Sequence, residues 1–154
     1  MAIDKVREYF KKFNMEDRIQ EFDVSSATVE EAAKALNTEG KRIAKSLSFK
    51  TKDKVMLIIL AGDAKISNSK YKAIFHEKAH MLTYDEVNEW IGHPVGGVCP
   101  FAINEGVEVY LDESLKRFKT VFPACGSAAS AIELSIEELE KTSNYISWID
   151  VSTY

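Results

Sequence analysis

Lys54-Val55-Met56-Leu57-Ile58-Ile59-Leu60-Ala61 is the stretch of this sequence that decides the fold. Its apolar run is long enough for a strand and far shorter than the roughly 20 residues that a membrane-spanning helix needs. A continuous apolar run, rich in β-branched side chains, is typical of a strand that is buried on both faces. The sequence therefore predicts a central strand inside a layered α/β domain.

The segment just before it, residues 42–50, alternates in polarity and predicts a second strand. Period-two alternation places four side chains on one face: Ile43, Lys45, Leu47 and Phe49. Burying an unpaired ammonium is costly. Lys45 is therefore either a cation on the floor of a pocket, holding a phosphate or an ester oxygen, or a lysine that extends to water.

Further elements extend in both directions from this pair of strands. Helices are predicted at 2–13, at 68–75 and after three capping-box patterns: Thr28 with Glu31, Thr83 with Glu86, and Ser135 with Glu138. Further strands are predicted at 19–22, 79–82, 107–111, 120–124, 131–134 and 146–151. Because the order is irregular, we expect a mixed α/β fold, a curved and largely antiparallel sheet of about seven strands surrounded by about five helices.

The chain reads as a single domain spanning residues 1–154. It has no internal repeat, no low-complexity tract and no Pro/Gly-rich linker. A domain of this size buries enough surface to fold without a disulfide or a structural metal. Cys99 and Cys125 lack metal-ligand spacing, which predicts free thiols. The charged N-terminal segment has no signal-peptide core, so we expect a cytoplasmic location and no membrane partner.

Charge is strongly segregated along the chain, whose formal net charge is −4. Residues 41–72 carry nine basic side chains against Asp53 and Asp63, whereas both flanking regions are acidic. Such a field can attract a polyanion to one face. A solvated basic face without any partner is the open alternative.

Two loops have compositions suited to a binding site. Residues 92–101 combine paired glycines with prolines, which lets a stiff backbone approach a ligand closely and bind an oxyanion or orient a water. Residues 123–130 are a run of small residues suited to a pocket wall, or to a close-packed turn.

Three further groups of residues are weaker candidates for a chemical role. His76 and His80 could bind zinc, and Cys99 near His93 could be a nucleophile pair. The paired carboxylates Asp112 and Glu113 stand at a strand end, where we expect them to cap the following turn.

Five strings resemble, in order, the YbaK-like aminoacyl-tRNA deacylase family, which includes the editing domain inserted in many bacterial prolyl-tRNA synthetases. They are Arg42-Ile43-Ala44-Lys45-Ser46-Leu47-Ser48-Phe49, Gly62-Asp63-Ala64-Lys65-Ile66-Ser67, Gly92-His93-Pro94-Val95-Gly96-Gly97-Val98-Cys99-Pro100-Phe101, Val109-Tyr110-Leu111-Asp112-Glu113-Ser114-Leu115 and Ala124-Cys125-Gly126-Ser127.

The resemblance implies roles for particular residues. Lys45 matches the family's functional lysine, which helps to position the terminal nucleotide, and Gly96 with Pro100 matches its Gly-x-x-x-Pro loop. The implied catalytic residues are Lys45, Gly96 and Gly97. The implied substrate-binding residues are Ser46, Val98, Pro100, Cys125, Gly126 and Ser127. A histidine that some members carry near the small-residue segment has no counterpart here.

The resemblance implies a free-standing enzyme that hydrolyses the ester of mischarged aminoacyl-tRNA in trans. The expected substrate is a small amino acid such as Cys, Ala or Ser on tRNA-Pro or a related tRNA. No metal or organic cofactor is implied, and the partners are the aminoacyl-tRNA acceptor end and, as a further possibility, a synthetase. Two alternatives stay open: a non-catalytic module that binds nucleotides or acceptor ends, and a small esterase unconnected to transfer RNA.

Overall fold

The computed structural model describes residues 2–154. The helices are α1 (Ala2–Lys11), α2 (Val29–Leu36), α3 (Asn68–Phe75), α4 (Tyr84–Glu86) and α5 (Ile136–Ser143). The strands are β1 (Gln20–Glu21), β2 (Ile43–Lys50), β3 (Val55–Ala61), β4 (Lys65–Ile66), β5 (Glu108–Asp112), β6 (Thr120–Pro123), β7 (Ser130–Ala131), β8 (Leu134–Ser135), β9 (Ser147–Ile149) and β10 (Ser152–Thr153). This confirms the mixed α/β class.

Six strands form the main sheet, in the order β8-β6-β2-β3-β5-β9, and β1 with β7 and β4 with β10 form two small antiparallel sheets. Antiparallel pairs are four of the seven strand pairings within residues 2–154, but three of the five pairings inside the main sheet are parallel. The parallel pairs arise because long connections return the chain to the same end of the sheet.

The central strand is β3, as its composition predicts. Leu57 and Ile59 pack into a core beneath α1 and α5, whereas Met56 and Ile58 pack into a second core with Tyr71 of α3. All four side chains are fully buried. A strand that is covered on both faces needs apolar side chains at every position, and this requirement explains the unbroken apolar run.

Local sequence signals set the helix ends. All three capping boxes form, at Thr28, Thr83 and Ser135, each with the side chain accepting from the backbone N–H three residues later. The helix that begins at Thr83 continues past α4 as a π turn, Val87–Ile91, and stops at Gly92. In the part of the chain that the structure describes, no helix is long and apolar enough to cross a membrane.

Three strand predictions need correction. Residues 79–82 form no strand, and their one bridge joins Met81 to Phe49, because α4 begins directly afterwards. The strand predicted at 131–134 is split into β7 and β8, which pair with β1 and β6 respectively. Of the strand predicted at 146–151, only β9 forms, paired with β5, and the chain then leaves the main sheet and pairs with β4 through β10, which lies beyond the predicted range.

Asp112 caps a turn and the two cysteines are free thiols, as predicted. The fully buried Asp112 carboxylate accepts hydrogen bonds from the backbone N–H groups of Ser114 and Val151, so it caps one turn and ties it to the C-terminal segment. Cys99 and Cys125 are free thiols.

Candidate functional site

A cavity of about 450 Å³ opens beside the first half of β2. Its walls come from five segments: the chain leading into α2 and its first turns, β2 itself, the chain from Met81 to Val87, the glycine loop at 95–98, and residues of β6 and β7. The fold brings these segments together around one strand, although they are far apart in sequence.

Among residues 2–154, Lys45 is the one charged residue that lines this cavity. It is half-buried, and its Nζ donates a hydrogen bond to the Gly62 carbonyl oxygen at 3.3 Å. Burial lowers the pKa of this ammonium, an effect that the nearby Asp63 carboxylate opposes and the Lys65 ammonium reinforces. Asp63 is itself paired with Arg117. Because an ammonium has three donors, Lys45 retains hydrogen-bonding capacity for an anionic or carbonyl oxygen.

The glycine loop is fitted closely against the small-residue segment. A Cβ at Gly97 would lie 2.5 Å from the Ser127 nitrogen. The Gly97 N–H donates to the Pro94 carbonyl oxygen, and its own carbonyl accepts from the Gly126 N–H, each at 3.0 Å. Gly96 has a φ of +93°, a backbone region that glycine enters without strain. With Gly97 packed in this way, Gly96 and Val98 line the cavity.

The structure separates the predicted site residues into two groups. Lys45, Ser46, Gly96 and Val98 line the cavity. The others are not among the lining residues: Gly97, Pro100, Cys125, Gly126 and Ser127.

Two of these supporting residues have clear structural partners. The Ser127 hydroxyl donates to Ser130 Oγ at 2.8 Å, and Ser130 in turn lines the cavity. Gly126 has a φ of +92°, and a Cβ there would lie 3.0 Å from the backbone of Ala2. The geometry therefore gives these two residues a supporting position, one layer removed from the cavity.

The nucleophile pair suggested by Cys99 and His93 is disfavoured. Cys99 Sγ lies 3.5 Å from His93 Nε2, but both side chains are fully buried. Burial raises the pKa of the Cys99 thiol to about 12 and lowers the pKa of His93. Neither a thiolate nor an imidazolium forms readily in such surroundings. Instead His93 Nε2 contacts the Phe101 carbonyl oxygen at 2.7 Å, which ties together the two ends of the glycine loop.

The zinc alternative at His76 and His80 gains no support from the geometry. His76 is the left-handed C-cap of α3, and His80 lies in the irregular segment beyond it. Among residues 2–154, no three His, Cys, Asp or Glu side chains are grouped so as to hold a metal ion.

Sequence reasoning missed several residues of the cavity. Ser26 is 6% exposed, lines the cavity, and has a hydroxyl without a partner among the described residues. Tyr84, Met81 and Val95 form an apolar rim, with Tyr84 71% exposed. A lone serine and three scattered apolar residues carry no sequence signal, and only the fold brings them to one opening.

More than half of the basic side chains in residues 41–72 are paired with carboxylates. Five of its nine basic side chains form ion pairs: Lys41, Arg42, Lys50, Lys54 and Lys70. Lys45, Lys52, Lys65 and Lys72 are in none of the ion pairs within residues 2–154. Of these four lysines, Lys45 lines the cavity, and Asp63 and Lys65 are the charged groups that act on it.

The sequence of this chain is similar to those of known proteins. Residues 23–142 match the model of the aminoacyl-tRNA editing domain family. YwhH of Bacillus subtilis strain 168, an uncharacterized protein, is 54% identical over 98% of this chain and 97% of its own length. Proline–tRNA ligase of the same organism is 33% identical over 58% of this chain, a match that spans 16% of the ligase.

Two solved structures have a fold similar to that of this chain. A crystal structure described as that of a candidate trans-editing enzyme for prolyl tRNA synthetase has a TM-score of 0.89 and 25% identity, covering 99% of this chain and 98% of the other. The hypothetical protein APE2540 has a TM-score of 0.86 and 27% identity, covering 97% and 99%.

Proposed function

Because the chain belongs to the aminoacyl-tRNA editing domain family, we propose that it is a deacylase that acts in trans. It hydrolyses the ester of mischarged aminoacyl-tRNA carrying a small amino acid, such as Cys, Ala or Ser, on tRNA-Pro or a related tRNA. The observation that carries this proposal is the half-buried Lys45 ammonium, which has one carbonyl partner and lines the same cavity as Gly96.

The chemistry requires little from the side chains. An aminoacyl ester is already activated, so positioning a water and stabilising the oxyanion can suffice. The Lys45 ammonium binds an oxygen of the terminal nucleotide, and the loop at Gly96 and Val98 holds the reacting ester. None of the described residues that line the cavity is a carboxylate or an imidazole, so the proposed mechanism uses no protein general base.

The rim supplies a contact for the end of the RNA. Tyr84 is exposed and aromatic at the mouth of the cavity, and an unpaired base stacks favourably on such a ring. We place the terminal base on Tyr84, with the sugar and ester directed inward toward Lys45. Cytoplasmic action and docking to a synthetase are further parts of the proposal.

The deciding experiment is the hydrolysis of a panel of labelled aminoacyl-tRNAs by the wild type and by Lys45→Met. Loss of a hydrogen bond to a charged group is worth roughly 10- to 100-fold in kcat/KM, so Lys45→Met should lose about that much while its melting temperature shows an intact fold. Lys52→Met is the matched control, because it removes the same charge outside the cavity.

Three outcomes would contradict parts of the proposal. Undiminished activity in Lys45→Met would remove this lysine from the mechanism. RNA binding without release of any amino acid would support the non-catalytic binding module, and equal hydrolysis of simple aminoacyl esters would support the small esterase.

A further inference from the structure

The outer edge of β2 is interrupted beside the cavity. On one side, β6 pairs with this edge only at Ile43 and Ala44. On the other side, the Lys50 N–H donates to the His80 carbonyl oxygen at 2.9 Å, and the Ser48 carbonyl accepts from the Leu82 N–H at 3.2 Å. Between these contacts, no strand of the described chain pairs with the edge, which leaves a gap one residue long.

The peptide groups of Ser46 face this gap. Successive residues of a strand direct their N–H and C=O groups to alternate edges. Ser46 therefore shares the outer edge with Ser48 and Lys50, whereas Lys45 and Leu47 bond to β3 in the continuous ladder. Ser46 also lines the cavity. One donor and one acceptor of the same residue are thus presented to whatever occupies the cavity.

Two hydroxyl groups add to the polarity of the residues that line the cavity. Ser26 Oγ and Ser46 Oγ are both buried, both belong to residues that line the cavity, and neither has a hydrogen-bond partner within residues 2–154. Buried hydroxyls are normally paired. Two unpaired ones at a single cavity therefore indicate a ligand with several polar hydrogens.

The charge of the cavity restricts how that ligand is recognised. Lys45 is the one charged residue among the described residues that line the cavity, and none of them is a carboxylate that could pair with a cation. A ligand ammonium must therefore be bound by neutral acceptors, namely a peptide carbonyl and hydroxyl oxygens.

We propose that the aminoacyl group binds the Ser46 edge as a single-residue β-strand. The aminoacyl group has the donor and acceptor of one strand residue. Its α-ammonium donates to the Ser46 carbonyl oxygen, and its own carbonyl oxygen accepts from the Ser46 N–H. The hydroxyls of Ser26 and Ser46 accept from the remaining ammonium hydrogens. This inference rests on the proposed function for the identity of the ligand.

The gap also makes the site selective for a free α-ammonium. Because β6 pairs with this edge up to Ala44 and the Leu82 N–H bonds to the Ser48 carbonyl oxygen, a second ligand residue would run into one of these two segments. An acylated nitrogen would have to displace one of these neighbours. The site therefore accepts aminoacyl ends and rejects N-blocked or peptidyl ends.

The test uses 3′-alanylamino-3′-deoxyadenosine, in which a stable amide replaces the ester, together with its N-acetyl and α-hydroxyacyl counterparts. Binding to the wild type is measured by calorimetry and by the backbone amide resonance of Ser46. We expect the alanyl compound to shift that resonance, and both counterparts to bind about 10- to 100-fold more weakly. Equal affinity for all three compounds, or an unmoved Ser46 resonance, would overturn the proposal.

A pair of variants tests the peptide group directly. Ser46→Pro removes an N–H that the β2–β3 ladder does not use, a position where a strand tolerates proline, whereas Ser46→Ala removes only the hydroxyl. We expect Ser46→Pro to bind the alanyl compound about 10-fold more weakly than Ser46→Ala; equal binding by two folded variants would contradict the edge pairing. If Ser46→Pro melts early, the compound series on the wild type decides.

This design separates the two proposals, since the amide analogue reports binding without turnover. Binding with the Ser46 shift but no hydrolysis of any aminoacyl-tRNA would remove the deacylase function and keep the edge pairing. Hydrolysis that is equally fast for N-acetylated aminoacyl-tRNA would keep the function and remove the edge pairing.

Discussion

Gly97→Ala is expected to displace the loop that carries Gly96 and Val98. The added Cβ would lie 2.5 Å from the Ser127 nitrogen and 2.7 Å from the Gly126 carbonyl carbon. Favourable contacts between such atoms lie near 3.5 Å. Both neighbours are backbone atoms that cannot rotate away, so the loop must move outward by about 1 Å to restore that spacing.

This displacement has a cost in stability and a cost in rate. Overpacking of this kind costs about 1–3 kcal/mol. For a chain of this length, each kcal/mol lowers Tm by roughly 2–4 °C, which gives a decrease of about 2–12 °C. A shift of about 1 Å in groups that position a substrate can cost on the order of 100-fold in rate. We therefore expect Gly97→Ala to lose activity at temperatures where it is still folded.

The assay combines thermal unfolding by circular dichroism with kcat/KM for aminoacyl-tRNA hydrolysis. Gly40→Ala is the matched control, because its Cβ would meet Val29 Cγ1 at an ordinary 3.4 Å. A Gly97→Ala protein with the Tm and the kcat/KM of the wild type would refute the reasoning. It would show that the loop does not depend on close seating against Gly126 and Ser127.

Three further predictions concern the rim, a surface ion pair and the buried thiol. Tyr84→Ala should raise KM for aminoacyl-tRNA by about 10- to 100-fold, because base stacking is lost. Tyr84→Phe keeps the ring and should keep the wild-type KM. Equal KM values for the two variants would exclude stacking. Arg18 donates two hydrogen bonds to Glu138, which lowers the pKa of that carboxyl to about 2. Because the pKa is lower in the folded state than in the unfolded chain, the pair stabilises the fold above about pH 4.3 and loses this effect as the pH falls toward 2. After solvent screening the effect is about 1 kcal/mol, and Glu138→Gln should remove that part of the pH dependence in urea titrations; an unchanged slope would contradict the assignment. Cys99 should resist iodoacetamide in the folded protein, since burial raises its thiol pKa to about 12; rapid alkylation detected by mass spectrometry, with loss of activity, would reopen the nucleophile reading.

Local patterns predicted much of the fold. The apolar run at 55–61 defines β3, and the three capping boxes begin helices at the positions expected from sequence. These signals succeed because they depend on interactions within one turn or one strand. The predicted strands at 79–82, 131–134 and 146–151 were wrong or incomplete because strand extent depends on distant partners, which side-chain alternation does not identify.

The candidate site also contains some residues that the sequence predicted and others that it did not. Lys45 stood out because a charged residue among apolar neighbours is a conflict visible in the sequence, and the glycine loop stood out by composition. Ser26 and Tyr84 carried no such signal. Ser127, expected to bind substrate, has its hydroxyl bonded to Ser130 behind the cavity, an arrangement that depends on how its turn packs.

The sequence by itself determined most of the segments that become strands and helices, that Lys45 lies among apolar neighbours, and which family the loops resemble. Each of these follows from short-range periodicity, capping or a contiguous motif. Only the tertiary structure decided the direction of the strands and where β6 stops along β2. It also decided that Ser46 is left with an open edge beside the cavity. The physical reason is that strand pairing is fixed by chain closure over long connections, and this leaves no trace in the local order of residues.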